Sequence, residues 1–236
     1  GQLAIIDMLR GLTIQATIIV TAPHPASATW QALSQALVAG QAAESTLTAT
    51  LPGVAYGTTV QVGARVRRLS LPVDIDYTLG VGRAQVEFHC TDPRIYSSTL
   101  TTLTTTQATS SGGLILPALA PLAFSGTASG GQVVATNDGE FAAPWTAVIN
   151  GPVTTPRIEN VTTGATLTFN GTLGTGETLT ISSLDRTVLL NGTASRYSWL
   201  TAGSSWFDLP AGSSTVRFAG VSGSGSMDLS FRSVWI

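Results

Sequence analysis

The sequence predicts an all-β protein with one short helix, divided into two domains. Three observations favour this fold class. Segments in which apolar and polar residues alternate recur at roughly 8–12 residue spacing, and Gly-containing turn dipeptides separate many of them. Only one stretch has a helical spacing of apolar residues. A length of 236 residues fits one large or two modest domains.

The first domain is predicted to span residues 1–100 and to contain one helix among β-strands. Trp30, Leu33 and Leu37 recur at helical spacing and Gly40 can end the helix, so we expect a helix from Thr29 to Ala39. Strands are expected at Leu12 to Val20, Thr46 to Leu51, Thr58 to Arg68, Leu69 to Tyr77 and Arg83 to Cys90.

In the predicted strand from Arg83 to Cys90, apolar and polar residues alternate and so lie on opposite faces. Ala84, Val86, Phe88 and Cys90 share one side of the strand, and His89 lies on the other. Adjacent strand residues point in opposite directions, so His89 and Cys90 cannot act as a base and a nucleophile on each other. We expect Cys90 to be a buried small apolar residue and His89 to be a polar surface group.

Residues 101–112 are rich in Thr, Ser and Gly, and no charged residue occurs from Ile95 to Asn137. Thr favours extended backbone and Gly interrupts it. We interpret these residues as an extended connector, with the domain boundary near residues 97–112. An edge strand that crosses between the domains is the alternative.

The second domain, residues 113–236, is predicted to be a sandwich of antiparallel sheets. Asn150-Gly151, Asn170-Gly171 and Asn191-Gly192 suit two-residue turns, because both positions tolerate positive φ. Strands are expected at Gln132 to Thr136, Trp145 to Ile149, Arg157 to Val161, Ala165 to Asn170, Glu177 to Ser182, Arg186 to Leu190, Ser214 to Phe218 and Met227 to Trp235.

Composition argues against several classes of function. The 11 basic residues are all Arg, face 13 acidic residues and form no basic run, which argues against nucleic-acid binding. The absence of Lys excludes Schiff-base and P-loop chemistry, and one Cys excludes an intrachain disulfide or a thiolate metal cage. The longest apolar run, Leu114 to Phe124, contains two prolines and is too short to span a membrane. We therefore predict a structural protein, with no catalytic, cofactor or metal site and no membrane insertion.

Asp74 and Asp76 are a candidate catalytic pair. Asp74 and Asp76 would share a strand face, at a separation that glycan hydrolases use. Arg65, Arg67 and Arg68 lie nearby in the sequence and favour salt bridges across a hairpin instead. We prefer the salt-bridge interpretation.

Four aromatic residues form the candidate contact site: Tyr197, Trp199, Trp206 and Phe207. If they are exposed, they could stack on a glycan or contact a partner. If they are buried, they belong to the sandwich core or to an intersubunit contact. The alternation does not separate the two cases, and we favour burial.

The order of these segments resembles a known family, the distal tail protein (Dit) of long-tailed, siphovirus-type bacteriophages. In the first domain, Asp92-Pro93-Arg94-Ile95-Tyr96-Ser97 is similar to the family's domain junction. The second domain is similar over Ile149-Asn150-Gly151-Pro152, Thr155-Pro156-Arg157-Ile158-Glu159-Asn160, Arg186-Thr187-Val188-Leu189-Leu190-Asn191-Gly192, Ser205-Trp206-Phe207-Asp208-Leu209-Pro210-Ala211-Gly212 and the closing Arg232 and Trp235.

The resemblance implies a structural virion protein at the distal end of the tail, with no enzymatic activity. Its first domain would be a tail-tube-like β domain that forms a homohexameric ring, and its second a galectin-like sandwich. The implied partners are further copies of the chain, the tail tube protein, and tail-tip hub and fibre or receptor-binding proteins. Genome DNA would pass through the central channel without specific binding.

Two further expectations accompany the resemblance. Family members usually have several tens of residues before the strand that corresponds to Leu12 to Val20, so we expect the natural chain to begin upstream of Gly1. The alternative function is a carbohydrate-binding sandwich module for host cell-wall glycans, which would use the four aromatic residues.

Overall fold

The computed structural model describes residues 11–21, 27–40, 43–50, 59–111 and 127–236. His24 and the apolar run from Leu114 to Phe124 lie outside the described residues. The chain divides into two compact units, Gly1–Ser98 with Ile236, and Thr99–Trp235. Each unit is described separately below.

The described residues of the first unit form one ten-residue helix, one four-residue helical turn and five strands. Their bounds are β1 (Leu12–Thr21), α1 (Ser27–Ala36), β2 (Ser45–Thr50), β3 (Thr59–Ser70), α2 (Ile75–Thr78), β4 (Val81–Cys90) and β5 (Ile95–Ser97). β1 pairs with β4, β4 with β3, and β3 with both β2 and β5, all antiparallel.

Alternation along these strands separates an apolar face of the sheet from a polar one. Val62, Ala64 and Cys90 form a buried cluster, to which five partly buried residues add: Leu12, Ile14, Leu47, Phe88 and Ile95. A methyl group placed on Gly82 of β4 would overlap the ring of Trp30 in α1, so this indole packs directly on the strand. The helix therefore lies on the apolar side of the sheet.

The predicted strand from Leu69 to Tyr77 is wrong. β3 ends at Ser70, and α2 follows as a four-residue helical turn. Pro72 has no backbone N–H to donate to a ladder, which prevents the segment from continuing as an ordinary strand. The main helix also ends earlier than expected, at Ala36.

In the second unit, the part of the chain that the structure describes consists of short strands and one 3-10 turn (Tyr197–Trp199). The strands are β6 (Thr101–Thr106), β7 (Thr109–Ser111), β8 (Thr127–Ser129), β9 (Gln132–Asn137), β10 (Trp145–Asn150), β11 (Val153–Thr154), β12 (Arg157–Asn160), β13 (Thr166–Thr168), β14 (Thr172–Leu173), β15 (Thr178–Ser182), β16 (Thr187–Leu190), β17 (Ala194–Ser195), β18 (Gly212–Ala219), β19 (Ser222–Gly223), β20 (Ser226–Phe231) and β21 (Val234–Trp235).

Two main sheets form the second unit, with strand orders β17-β16-β15-β10-β20-β6 and β13-β12-β18-β9. The strand pairs within both sheets are antiparallel. Fully buried side chains come from both sheets, among them Ile149 and Leu229 of one and Ile158 and Phe218 of the other. This confirms the predicted class, antiparallel β-sheets with one substantial helix.

Residues 101–106, interpreted above as part of a connector or as an edge strand, form β6 at the edge of the larger sheet. Thr104 Oγ1 donates a 2.6 Å hydrogen bond to Asp228 Oδ1, and the hydroxyls of Thr102 and Ser230 lie 2.9 Å apart. These contacts on β20 explain why a run of Thr folds here as part of the sandwich. The connector interpretation is therefore wrong for these six residues.

The turn dipeptides have different outcomes. Asn191 and Gly192 have φ of 50° and 71° and join the paired strands β16 and β17, as expected for a tight hairpin. Asn150-Gly151 connects β10 to β11, and Asn170-Gly171 connects β13 to β14. Neither pair of strands is hydrogen-bonded to each other, so the prediction of hairpins at these two positions is wrong. Among the helices of the described residues, none has the length and apolar character needed to cross a bilayer.

Candidate functional site

The four aromatic residues do converge in the second unit. The hairpin at Asn191-Gly192 turns the chain into the 3-10 turn that carries Tyr197 and Trp199. Trp206 and Phe207 lie in the loop before β18. The rings of Tyr197 and Trp206 are close to parallel, with centroids 6.4 Å apart and planes inclined by 17°. Sequence reasoning therefore identified residues that are spatially adjacent.

The expected burial of the cluster is wrong for Tyr197. Its side chain is 50% exposed, while Trp199, Trp206 and Phe207 are only half-buried. None of the four belongs to the fully buried core, which Trp145 and Phe169 occupy instead.

Phe207 and Trp199 have structural contacts of their own. The ring of Phe207 packs against Trp145, with centroids 5.1 Å apart. A methyl group placed on Gly171 would overlap the indole of Trp199, so this ring lies against backbone. The Arg196 guanidinium carbon lies 5.6 Å from the centre of the Trp199 ring, within cation–π range. These contacts leave Tyr197 and Trp206 as the pair best suited to bind something external.

Trp206 has one unsatisfied polar atom. Its indole Nε1 is buried and has no hydrogen-bond acceptor among the described residues. A buried donor without an acceptor costs about 1–3 kcal/mol. The Tyr197–Trp206 pair therefore combines an exposed phenol ring with an N–H group that lacks an oxygen partner.

Asp74 and Asp76 do not lie on one strand face, which the less favoured catalytic interpretation required. Asp74 precedes α2 and Asp76 lies within it, so the two carboxylates do not share a strand face. Asp76 forms an ion pair with Arg83 at 4.0 Å, and Arg67 instead lies 3.5 Å from Glu87. No group of three or more metal-ligating side chains occurs within the described residues.

The prediction that His89 and Cys90 lie on opposite faces of their strand is confirmed. In β4, Cys90 is opposite Leu12 on the apolar side and His89 is opposite Thr13. Cys90 is fully buried, and burial, followed by the negative charge of Glu44, raises the pKa of its thiol. The thiol therefore stays protonated, which makes it a poor nucleophile.

Asp92 organises the end of the first unit. Its carboxylate accepts hydrogen bonds from Arg94 Nε at 2.9 and 3.0 Å and from the Tyr96 hydroxyl at 2.8 Å. Partial burial alone would raise the pKa of Asp92, but these hydrogen bonds, the Arg94 backbone N–H and the Arg94 charge together lower it. The motif that resembled the family's domain junction is thus a hydrogen-bonded cluster.

Sequence reasoning missed one exposed surface in the first unit. Val73, Ile75 and Leu79 are 70%, 76% and 74% exposed in the segment between β3 and β4. The sequence predicts a strand from Leu69 to Tyr77, and this prediction does not indicate an exposed apolar surface. The only sequence signal against this assignment was Pro72.

Comparisons with known proteins extend these observations. The SPP1 Dit family model, described as the C-terminal domain of the siphovirus-type tail component, matches residues 138–235. A comparison with curated protein sequences finds no significant match.

Two solved structures share the fold. The Dit protein of phage SPP1, described as a paradigm of the hub adsorption apparatus in phages that infect Gram-positive bacteria, is 11% identical, with a TM-score of 0.62 over 100% of this chain and 86% of that chain. One chain of the phage P2 baseplate, in its activated conformation with Ca, is 11% identical, with a TM-score of 0.54 over 94% and 79%. Residues 138–235 therefore match the model of the siphovirus-type tail component's C-terminal domain, and the chain shares its fold with the Dit protein of phage SPP1.

Proposed function

We propose that copies of this chain close into a homohexameric ring, the baseplate hub ring that joins the tail tube to the host-recognition apparatus. The observation that carries the proposal is the pair of outer strands in the first unit, β1 and β2. Neither strand contains a charged residue. Within the described part of this unit, β1 pairs only with β4 and β2 only with β3.

Outer strands of monomeric proteins usually carry charges, prolines or bulges that prevent pairing with another chain. Uncharged outer strands on both sides of one sheet instead favour pairing between copies. Because β1 and β2 are different surfaces, such a contact is head-to-tail, and it forms a ring when the rotation between copies closes. This supports self-association through the first unit.

The proposed partners follow the order of the tail. The tail tube protein would bind one side of the ring, and the tail-tip hub and fibre or receptor-binding proteins the other. The second unit would be a galectin-like sandwich that carries no catalytic activity. SPP1 Dit, named as part of a hub adsorption apparatus, and the P2 baseplate share the fold and support this placement.

Genome DNA would pass through the channel of the ring without specific binding. Two arginines of the first unit are matched by carboxylates, Arg67 by Glu87 at 3.5 Å and Arg83 by Asp76 at 4.0 Å. Nucleic-acid binding depends on basic side chains that neutralise phosphates, and paired arginines are less able to do so. The charge pattern is consistent with passage rather than adhesion.

The experiment is a mass measurement of the chain, expressed with whatever residues precede Gly1 in its gene, by light scattering after size exclusion. We expect a particle of six times the chain mass that appears as a ring in negative-stain images. A strictly monomeric protein at high concentration would overturn the proposal.

A second candidate function is contact with a host cell-wall glycan through Tyr197 and Trp206. It is favoured by the half-exposed phenol ring of Tyr197, which stacks on the half-buried ring of Trp206. A sugar offers C–H groups for an aromatic face and oxygens for a donor. We expect Tyr197→Ala to lose binding to purified cell-wall polysaccharide, while Leu184→Ala, at an exposed aliphatic side chain of the same unit, retains it. Absence of binding by the unmodified protein would remove this candidate, and binding of a tail protein instead would identify a protein contact.

A further inference from the structure

The segment of residues 73–79, named the tip here, carries exposed apolar side chains. Three of its side chains, Val73, Ile75 and Leu79, are at least 70% exposed. The Leu79 N–H donates to the carbonyl oxygens of Asp76 and Ile75 at 3.0 and 3.3 Å, so the helical turn sets the position of Leu79. Single exposed aliphatic residues are ordinary, but a cluster of them marks an interaction site.

The same unit contains a cavity of about 190 Å³ beyond the end of α1. Its lining is mostly apolar, and several of these residues are only partly buried by the unit itself. The residues that matter here are Leu37, Val38, Leu47, Val66, Phe88 and Arg65. Because an apolar cavity of about 150 Å³ can admit a benzene molecule, one of about 190 Å³ can hold a leucine side chain.

The tip and the cavity carry charges of opposite sign, each already partly matched within its own copy, since Asp76 lies 4.0 Å from Arg83 and Arg65 interacts with Glu44. The tip carries Asp74 and Asp76 and no basic residue, and Arg65 is the charged residue among those that line the cavity. Complementary charges around an apolar contact set its orientation and exclude wrong partners. We propose that the tip of one copy docks into the cavity of a second copy, with the Leu79 side chain inserted.

The directions of the outer strands bring these two surfaces to the same place. Within one copy, β1 and β2 are antiparallel, because the order β1, β4, β3, β2 alternates in direction. Copies related by rotation keep these directions, so β1 of one copy meets β2 of the next in an antiparallel arrangement. Pairing β2 with residues 16–21 would place Thr21 opposite Ser45. Thr21 pairs with Val81, just after the tip, and Ser45 lines the cavity.

This inference rests on the proposed self-association and specifies its contact. The test is disulfide cross-linking between separately purified Leu79→Cys and Val38→Cys variants of the full chain. Cys90, the only natural thiol, is fully buried and does not compete. On mixing and mild oxidation, we expect several-fold more linked dimer than in a mixture of Val38→Cys with Val221→Cys, because Val221 is an equally exposed residue of the second unit.

A second variant tests the contact without cross-linking. Leu79→Asp should weaken self-association by roughly tenfold or more, since a carboxylate is strongly disfavoured in an apolar cavity. Leu79→Met should retain self-association, and Val221→Asp should leave it unchanged. Rings that form normally in Leu79→Asp, with dimer yields no higher than the control, would overturn the docking while leaving the ring intact. A chain that does not self-associate at all would overturn the ring itself.

Discussion

The indole Nε1 of Trp145 donates a 2.9 Å hydrogen bond to the carbonyl oxygen of Phe207, 62 residues away in the sequence. The same strand is joined to this loop by a second route. The Trp145 backbone N–H donates to Ser183 Oγ at 2.9 Å, and that hydroxyl donates to Asp208 Oδ1 at 2.7 Å. The loop that carries Trp206 is therefore held against β10 by the two residues that follow Trp206.

The first prediction concerns this donor. Trp145→Phe keeps an aromatic ring but removes the N–H that Phe207 accepts, so the free energy of unfolding should fall by about 1–3 kcal/mol. Trp206→Phe is the matched control, because its Nε1 has no acceptor among the described residues and its loss should be neutral or stabilising. Urea denaturation of both variants measures the difference. Equal losses would show that the hydrogen bond to Phe207 is not what stabilises the loop.

That long-range hydrogen bond also shows why part of the candidate site escaped prediction. Proximity in the sequence grouped the four aromatic residues correctly. It did not show that Phe207 packs on Trp145 while Tyr197 stacks with Trp206, because Trp145 is distant in the sequence. The faces of β4 were predictable, because alternation assigns Cys90 and His89 without knowledge of distant contacts.

The tip illustrates the opposite failure. Alternating apolar residues normally indicate a strand with one face on its own core. At Val73, Ile75 and Leu79 the apolar side chains face outward, and the pattern does not reveal whether a residue is buried by its own chain or exposed for another. The fold class was predictable because many strands contributed to it, whereas this surface depends on a few residues.

The second prediction concerns Asn137, a buried side chain that uses both ends of its amide. Its Nδ2 donates to the carbonyl oxygens of Phe141 at 2.7 Å and Leu209 at 3.1 Å. Its Oδ1 accepts from the backbone N–H groups of Gly139 at 3.1 Å and Val234 at 3.3 Å. In Asn137→Asp, an oxygen replaces the donor and faces two carbonyl oxygens.

We expect Asn137→Asp to lose about 3 kcal/mol or more of stability at neutral pH. Burial raises the pKa of the new carboxyl in the folded state, because it disfavours the charged form. The variant should therefore be most stable at pH values below the unfolded-state pKa of about 3.9. It should lose stability as the pH rises through the raised folded-state pKa of the new carboxyl. Asn191→Asp is the control, since only its Oδ1 accepts a bond, from the Thr178 N–H, and Asp preserves it. Denaturation at several pH values would contradict the argument if both variants behaved alike.

The third prediction follows from the lowered pKa of Asp92. When the folded-state pKa of a carboxyl is lowered, the group stabilises the protein at pH values above its unfolded-state pKa. This contribution is lost as the pH falls through the folded-state pKa. Because the side chain is about one-third exposed, solvent screening limits the contribution to about 1 kcal/mol. Asp92→Asn should remove this acid sensitivity, and hydrogen exchange of peptides covering residues 81–98 measures it. An unchanged acid response in the variant would assign the sensitivity to other groups.

The fourth prediction concerns the reactivity of Cys90. Burial chiefly, and the negative charge of Glu44 in addition, raise the pKa of its thiol, so little thiolate is present at neutral pH and reagents have no access to it. We expect Cys90 to react with a thiol-specific chromogenic reagent only when the first unit unfolds. Val38→Cys, which adds a partly exposed thiol, should show one fast and one slow reacting group. Rapid reaction of Cys90 in the folded chain would mean that this strand opens readily.

The fifth prediction tests the packing of the helix on the sheet. The Trp30 ring occupies the space that a side chain at position 82 would need, so Gly82→Ala must displace the indole or the strand. Overpacking of this kind costs about 1–3 kcal/mol. Gly203→Ala is the matched control, because a methyl group there would meet no atom within 4 Å and the φ angle is ordinary. The control removes the general effect of a glycine replacement on the unfolded chain, which by itself is stabilising. Thermal unfolding should therefore show a lower midpoint for Gly82→Ala and an unchanged or higher midpoint for Gly203→Ala. Similar midpoints for the two variants would show that the packing of α1 does not depend on its close approach to Gly82.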